Sequence, residues 1–585
     1  MNRWRRLTGG CGAGRWLLLL ALLSPLAVSA ADTIDLVIKG VEGEMHDNVQ
    51  SYIGPLTTDD LKSWRSSRTR LEAVTREALE AVGYYEPVIV IEQRRGEVRV
   101  NITPGEPVRV ERLRLVFEGE AGNDIAFTAL RESLPLRQGD TLHHGRYESI
   151  KSAVQALAVE RGYFDAVWAR REVSVDIKKH QANIDLVYVS GQRFLFGPVS
   201  FVGEDNTSQT VIRPEVMAQM VPFKQGEPYE AAGIIKLNKS LLDSRYFSVV
   251  RVRHLREEAV GLEVPVRVTV ASSKPNDMDV GIGYSTDVQA RVSLAWRRPL
   301  INDRGHGIRT SAELSQVRRS FDAVYSVPWK HPLDDVLQYI YGVQREDVED
   351  VVTYNTVVGI QRQIQKDQGW KRTYSLRWNR ESFDRPDGEE GKSDLLLPGI
   401  SFDRVRSKGG VDPYWGDRQY YQGEFASSNM LSDADFVSLR VGYRLLRTVA
   451  DKHQFLLRTD GGTILTSTFD DVPLTMRFFA GGDQSVRGYD YKSLSPRDEQ
   501  GIAIGARNLA TASIEYGYMF ARKWRAAVFT DAGNAFDSLS DGFKVGSGVG
   551  VRWISPVGPI RLDFAWAVSE PDTSFRVHFS MGASL

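Results

Sequence analysis

From residue 276 to the end of the chain, apolar and polar positions alternate in short segments. Successive side chains of a β-strand point to opposite faces, so this period of two predicts strands with one apolar and one polar face. In the first segment one face carries Met278, Val280, Ile282 and Tyr284. The opposite face carries Asp279, Gly281, Gly283 and Ser285. With roughly ten residues a strand plus turns, the region predicts about 16 strands, with about 14 or 18 as alternatives.

This alternation is compatible with a soluble sandwich or with a closed barrel in a membrane. Tryptophan favours the barrel, because eight of the ten tryptophans beyond residue 30 lie after residue 275. Aromatic girdles at the two membrane interfaces are typical of transmembrane barrels. No run beyond residue 30 reaches 18 consecutive apolar residues, the length typical of a spanning helix. We therefore predict a transmembrane antiparallel β-barrel over residues 276–585.

In the first half of the chain one pattern recurs three times between residues 32 and 275. Each copy starts with a short apolar strand that ends at a glycine, namely Gly40, Gly119 and Gly203. A helical segment follows, and it ends at an aromatic pair in each copy: Tyr84-Tyr85, Tyr163-Phe164 and Tyr246-Phe247. Two alternating segments complete the copy, which predicts α+β modules in the order strand, two helices, two strands. The aromatic pairs are expected to pack in the module cores.

Residues 1–30 have the features of a secretory signal peptide. Four arginines precede an apolar run at 16–23, and small residues at 28–30 offer a cleavage site. A retained membrane anchor is the alternative interpretation. The only cysteine, Cys11, lies in this segment, so the predicted mature chain has neither disulfides nor thiolate metal sites.

Charge and motifs exclude two classes of function. Without residues 1–30 the chain has 70 basic residues, from 74 minus 4, against 75 acidic residues. A net charge of −5 argues against a nucleic-acid partner. Metalloprotease, Walker and nucleophile-elbow motifs are absent from the sequence, so we expect no enzyme, no cofactor and no metal site.

Glycines recur at every second position near the end of the chain, at Gly546, Gly548 and Gly550. They lie along a predicted strand, whereas a phosphate site needs a loop that leads into a helix. Small residues on one strand face predict that another segment packs closely against it.

Four motifs resemble those of the barrel-assembly superfamily, which includes BamA, TamA and the two-partner secretion transporters. FFAGGDQSVRGY at 478–489 is similar to its sixth-loop signature, and FTDAGN at 529–534 to its thirteenth-strand motif. NDRGH at 302–306 resembles an early hairpin, and SPVGPIRLDFA at 555–565 the penultimate hairpin. The α+β modules resemble periplasmic POTRA domains. The resemblance implies three POTRA domains at 32–103, 104–191 and 192–275, followed by an outer-membrane barrel at 276–585.

Within this superfamily the chain resembles the TamA family, which has three POTRA domains. BamA proteins normally have five, and two-partner transporters normally have two with a plug helix. The aliphatic ending at Leu585 is also similar to TamA. This resemblance implies a Gram-negative outer-membrane location, with the POTRA domains in the periplasm and the inner-membrane-anchored protein TamB as a partner.

The resemblance implies a role for the loop motif Val486, Arg487, Gly488 and Tyr489. Arg487 is expected to reach from the loop into the barrel lumen and to pair with Asp531. The alternative is a solvated lumen arginine, which would contribute little to stability.

Glycine weakens a strand ladder, and the first barrel strand contains two glycines. We therefore predict a poorly paired lateral seam between the first and last strands. Its expected residues are Val280, Gly281, Gly283, Phe575, Phe579 and Met581. Alternatively, the glycines only make room for side chains in the lumen.

These features lead to an expected function as an outer-membrane insertase or translocase. An exposed POTRA sheet edge can add an extended client strand, and an open seam can pair with client hairpins that enter lipid. The expected partners are TamB, unfolded outer-membrane protein clients of autotransporter type, and outer-membrane lipid. The alternatives are a secretion pore of the two-partner type and a phospholipid-transport conduit.

Overall fold

The computed structural model describes residues 33–581 apart from 95, 205–210, 349–350, 366–368, 386–387, 389, 556–557 and 571–573. The predicted signal peptide at 1–30 and residues 582–585 lie outside the described residues. The chain divides into two compact units. The first consists of residues up to 196 with 226–232 and 259–264, and the second of 197–225, 233–258 and 265–585.

The first α+β module has a four-stranded sheet in the order β2-β1-β4-β3, with β1 and β4 parallel. Its elements are β1 (Thr33–Lys39), α1 (Glu44–Ile53), β2 (Leu56–Thr57), α2 (Thr58–Lys62), α3 (Trp64–Glu80), β3 (Val88–Arg94) and β4 (Glu97–Thr103). The core forms where Leu71 and Leu79 of α3 meet Val98 and Val100 of β4. The module has the predicted order of elements, with the short β2 and α2 added.

The second module has a three-stranded sheet in the order β5-β7-β6. Its elements are β5 (Arg109–Glu118), α4 (Ile125–Glu132), α5 (His144–Glu160), β6 (Val167–Asp176) and β7 (Gln181–Val189). Tyr163 of the second aromatic pair packs edge-on against Phe127 of α4, with ring centroids 5.5 Å apart. Tyr163 is buried, as predicted for a core residue, whereas its neighbour Phe164 is half-buried.

The third module has its sheet in the order β8-β10-β9. Its elements are β8 (Leu195–Gly203), α6 (Pro214–Ala218), α7 (Ala231–Asp243), β9 (Phe247–His254) and β10 (Glu263–Ser272). Tyr246 and Phe247 are buried here, which confirms the predicted core role of this pair. None of the described helices has both the length and the apolar composition needed to cross a membrane.

A closed barrel of 16 strands follows, in which each strand pairs with its neighbours in sequence. The strands are β11 (Asp277–Ser285), β12 (Gln289–Arg298), β13 (Gly307–Ser315), β14 (Arg318–His331), β15 (Asp335–Val348), β16 (Val351–Gln365), β17 (Trp370–Asp384), β18 (Glu390–Lys408), β19 (Trp415–Ala426), β20 (Phe436–Val449), β21 (His453–Leu465), β22 (Asn508–Ala521), β23 (Trp524–Phe536), β24 (Lys544–Ser555), β25 (Gly558–Ala567) and β26 (Phe575–Met581). The predicted fold class and strand number are confirmed.

The alternation seen in the sequence separates the two faces of the barrel wall. Along β20, Val437, Leu439 and Val441 are exposed on the outside, whereas Ser438 is buried on the inside. Trp524 and Trp553 stack at one end of the barrel, with ring centroids 6.1 Å apart. An apolar outer face with aromatic residues at its rim is the surface that a lipid bilayer requires.

Side chains of the third module form hydrogen bonds with the turn between β12 and β13. Arg213 Nε donates to Asp303 Oδ2 at 2.6 Å, and the Tyr246 hydroxyl donates to the Gly305 carbonyl at 2.9 Å. Both acceptors belong to the NDRGH segment that the sequence analysis identified as a hairpin motif. This motif therefore fixes the third module to the first strands of the barrel.

Candidate functional site in the barrel lumen

The connection between β21 and β22, residues 466–507, fills part of the barrel interior, and we call it the lumen loop. Phe478, Ala480 and Val486 of this loop are almost fully buried. They pack with Leu397 of β18 and Phe436 of β20 in one apolar cluster. The loop therefore has its own core against the inner wall.

Arg487 occupies the centre of the site and is only 3% exposed. Its Nε donates to Asp531 Oδ2 at 2.7 Å, and its terminal nitrogen to Asp531 Oδ1 at 2.9 Å. The backbone N–H of Arg487 also donates to Asp531 Oδ2 at 3.0 Å. Two parallel bonds from guanidinium to carboxylate form the strongest ordinary ion-pair geometry. The structure thus brings Arg487 together with the residue expected as its partner.

Two further acids that the sequence analysis did not identify also contact Arg487. Its second terminal nitrogen lies 2.9 Å from Glu515 Oε2 of β22 and 3.1 Å from Asp563 Oδ2 of β25. Arg552 of β24 bridges the same two acids, at 2.9 Å from Glu515 and 2.5 Å from Asp563. The site is therefore a buried network of alternating charges.

The network draws a charged inward residue from each of five consecutive strands. These residues are Arg458 of β21, Glu515 of β22, Asp531 of β23, Arg552 of β24 and Asp563 of β25. Arg458 lies 3.9 Å from Asp531. Because inward positions recur with period two, each strand could offer several candidates. The strand register decides which of them meet.

The glycines of β24 provide the space that the sequence analysis predicted. A Cβ atom at Gly546 would overlap the carbonyl oxygen of Arg487. A Cβ atom at Gly548 would lie 2.5 Å from the ring of Phe529. That ring lies under the Arg487 guanidinium, 3.4 Å from its central carbon, a cation–π arrangement. Close packing against the glycine strand is confirmed.

The other residues of the loop motif make backbone turns and apolar contacts. Gly488 has φ of +95°, in the region that favours glycine. Its N–H donates to His578 Nε2 of β26 at 2.9 Å. Tyr489 is 7% exposed and lies with Val486 in the apolar cluster of the loop.

The first strand β11 and the last strand β26 meet at a sparsely paired seam. Among the described residues, Ser285 and Ser580 are the single pair in register. The N–H of Thr286 donates to the Phe579 carbonyl at 3.1 Å, and the N–H of Phe579 to Thr286 Oγ1 at 3.3 Å. On its other side, β26 pairs with β25 in seven consecutive positions, from Ile560 with Met581 to Trp566 with Phe575.

In the seam register, the end of β11 lies opposite the last described residues of β26. Phe579 lies opposite Thr286, and its ring centroid is 5.9 Å from that of Tyr284. Gly281 and Gly283 are not brought opposite Phe575 or Phe579. In this register, the positions of β11 from Gly283 back to Val280 lie beyond Met581, the last described residue of β26.

The glycines of β11 also make room for neighbouring side chains. A Cβ atom at Gly281 would meet the hydroxyl of Ser293, and one at Gly283 would lie 2.9 Å from Arg291 Nε. Ser293 and Arg291 are their register partners on β12. This geometry favours the alternative interpretation of these glycines, as space for lumen side chains.

Comparison with known proteins identifies the family. Residues 284–585 match the model of the Omp85 superfamily domain. The chain belongs to the Omp85 superfamily. Residues 35–104 match the model of the first POTRA domain of TamA. An Omp85 barrel with a POTRA domain places this protein in the outer membrane, with the POTRA domain in the periplasm, as predicted.

Two curated relatives are both named outer membrane protein assembly factor BamA. The protein from Nitratidesulfovibrio vulgaris is 27% identical over 452 residues, covering 72% of this chain and 55% of the relative. The protein from Neorickettsia risticii is 22% identical over 482 residues, covering 76% and 62%. This chain thus spans a little over half the length of these relatives.

The fold is also similar to a solved structure, that of Haemophilus ducreyi BamA lacking POTRA domains 1–3. The TM-score is 0.67 at 14% identity, and the match covers 81% of this chain and 99% of the other. At this identity the likeness shows the fold alone.

Proposed function

We propose that this Omp85 protein inserts β-barrel proteins into the outer membrane through the seam between β11 and β26. The observation that carries the proposal is that, among the described residues, β11 and β26 share one register pair whereas β25 and β26 share seven. Unpaired N–H and C=O groups at a strand edge are a template for another strand. A client hairpin that pairs there enters lipid with its backbone groups satisfied.

The lumen loop has a supporting role in this mechanism. Arg487 binds it to a wall of five strands through buried, charge-assisted hydrogen bonds. The wall beside the seam therefore stays rigid while the seam parts, so that β26 separates from β11 and remains paired to β25.

We further propose that the protein belongs to the TamA branch and acts on autotransporter-type clients together with TamB. The match of residues 35–104 to the first POTRA domain of TamA supports this assignment. In this proposal the POTRA domains comprise residues 32–103, 104–191 and 192–275. Their sheet edges offer extended client segments a strand to pair with.

A reversible lock of the seam tests the insertase proposal. The single cysteine of the chain is Cys11, within the predicted signal peptide, so the variant Ser285→Cys with Ser580→Cys introduces a defined pair at facing positions. Oxidation is expected to stop insertion of an autotransporter-type client, and reduction to restore it. A matched control is Val437→Cys with Leu465→Cys, which locks the fully paired β20 and β21.

Insertion at the normal rate through a verified seam lock would refute the proposal. Client traffic would then run through the lumen or along the modules, as in a secretion pore or a lipid conduit.

A further inference from the structure

Residue Asp483 of the lumen loop contacts the first side of the seam. Its N–H donates to Asp287 Oδ2 at 2.8 Å, and its Oδ1 accepts from the Thr286 hydroxyl at 2.9 Å. Thr286 and Asp287 form the turn between β11 and β12. The approach requires Gly482, since its φ is +100° and a Cβ there would lie 2.7 Å from Asp287 Oδ2.

The same loop contacts the second side of the seam through His578 of β26. His578 Nδ1 lies 2.5 Å from Asp483 Oδ1, and His578 Nε2 accepts from the Gly488 N–H at 2.9 Å. Both the His578 and Asp483 side chains are 6% exposed. Arg576 of β26 also pairs with Asp490 of the loop.

The hydrogen bonds define the tautomer of His578. A backbone N–H can only donate, so Nε2 must present its lone pair to Gly488. In the neutral ring the proton then resides on Nδ1 and is donated to Asp483. Both ring nitrogens of His578 thus form hydrogen bonds with the segment 483–488, Nδ1 with its first residue and Nε2 with its last.

This tautomer argues against a cation at the site, although ligand atoms of Asp287, Asp483 and His578 lie within 4.8 Å of one another. A metal on Nδ1 would move the ring proton to Nε2, where it would face the Gly488 N–H. Burial first, and the facing Asp483 second, raise the pKa of Asp287 to about 7. Asp483 Oδ2 is buried without a hydrogen-bond partner among the described residues.

We infer that His578 is a positioning residue that closes the seam through the lumen loop. Asp483 and His578, which we call the clasp, connect the turn after β11 to the last strand. The inference rests on the proposed function, in which the seam opens. The clasp adds buried side-chain hydrogen bonds where the described strand ladder has one register pair. Displacement of the loop from the seam therefore releases β26 from β11, while β26 stays paired to β25.

Disulfide formation across the seam, measured without any client, tests the clasp. In the background Ser285→Cys with Ser580→Cys, the full-length protein in lipid nanodiscs is oxidised and the rate of bond formation is followed. His578→Ala removes both ring hydrogen bonds, and we expect at least a tenfold slower rate. His578→Asn retains a donor near the Nδ1 position and His578→Gln an acceptor near the Nε2 position, so intermediate rates are expected.

His453→Asn is the matched control, because His453 is also a barrel-strand histidine, with its Nδ1 2.8 Å from the Tyr516 hydroxyl. It should form the disulfide at the unmodified rate. The Asn and Gln variants keep the test valid if His578→Ala does not fold. A folded His578→Ala, or folded Asn and Gln variants, with the unmodified rate would overturn the inference.

The same variants separate the clasp from the insertase proposal. A looser seam with unchanged client insertion would support the clasp and count against insertion through the seam. An unchanged seam with lost insertion would overturn the clasp and leave the insertase proposal standing.

Discussion

Two neighbouring parts of the barrel wall are held together in different ways. From β21 to β25 the strand ladder is long, and each strand contributes a charged residue to the network around Arg487. At the seam, the described ladder between β11 and β26 is a single pair, and the lumen loop adds side-chain hydrogen bonds to both strand ends. One loop is thus anchored on a stable wall and, in the proposed mechanism, also holds the adjacent weakly paired edge.

The largest effect is expected from Arg487→Ala, which removes the central cation of the network. It leaves Glu515, Asp531 and Asp563 buried with fewer cations, and removing one member of a buried ion pair costs about 3 to 5 kcal/mol. The measurement is the free energy of unfolding in a urea titration in lipid vesicles. Arg380→Ala is the control, because its pair with Asp394 is largely exposed and such pairs contribute about 0 to 1 kcal/mol.

Equal stabilities of Arg487→Ala and Arg380→Ala would contradict a structural role for the network. The network also predicts that exchanging Arg487 and Asp531 does not rescue function. An acid at position 487 would face Glu515 and Asp563, which lie 2.9 and 3.1 Å from Arg487.

A smaller effect is expected from Gly546→Ala. The added Cβ would overlap the Arg487 carbonyl, and such overpacking costs about 1 to 3 kcal/mol. Gly461→Ala on β21 is the control, since its Cβ would meet Val441 at an ordinary 3.4 Å. Protease sensitivity of the lumen loop should increase only in Gly546→Ala, and resistance equal to that of the control would disprove close packing here.

A pH dependence is expected from Asp287 in the turn beside the seam. Its pKa is raised from 3.8 to about 7 in the folded protein, so the stability it contributes is fully present below about pH 4 and is lost as the pH rises through 7. Asp287→Asn removes this dependence. Relative to the unmodified protein, the variant should gain at least about 1.4 kcal/mol, the equivalent of one pKa unit, between pH 4 and pH 8. Urea titrations at both pH values check this. A difference in unfolding free energy between the variant and the unmodified protein that is the same at pH 4 and pH 8 would contradict it.

The smallest effect is expected from Gly283→Ala, which tests whether this glycine itself weakens the first strand. Its Cβ would meet the flexible side chain of Arg291, which can move, so we expect a change in unfolding free energy within about 0.5 kcal/mol. The seam disulfide between positions 285 and 580 should form at the unmodified rate. A clearly faster rate would show that the glycine itself weakens the seam.

Much of the fold was predictable because alternation with period two reports strands directly. The strand number, the module order and the partner of Arg487 came from local pattern or motif. Glu515, Asp563 and Arg552 were missed because any inward position of their strands was a candidate, and only the register brings these three together. The same holds for the seam, where the stagger pairs Ser285 with Ser580. A single sequence contains no direct signal for register between strands that are distant along the chain.

Capture of the client strand at β11 is the decisive test of insertion through the seam. Single cysteines replace Met278, Val280 and Ile282, all exposed on one face of β11, and a stalled client carries one cysteine in its last strand. Insertion through the seam predicts disulfides that shift by two client residues for every two residues along β11. The control Val358→Cys on β16, also exposed, should give none. Capture at Val358 as efficient as along β11, or capture only by residues of the lumen loop, would contradict insertion through the seam.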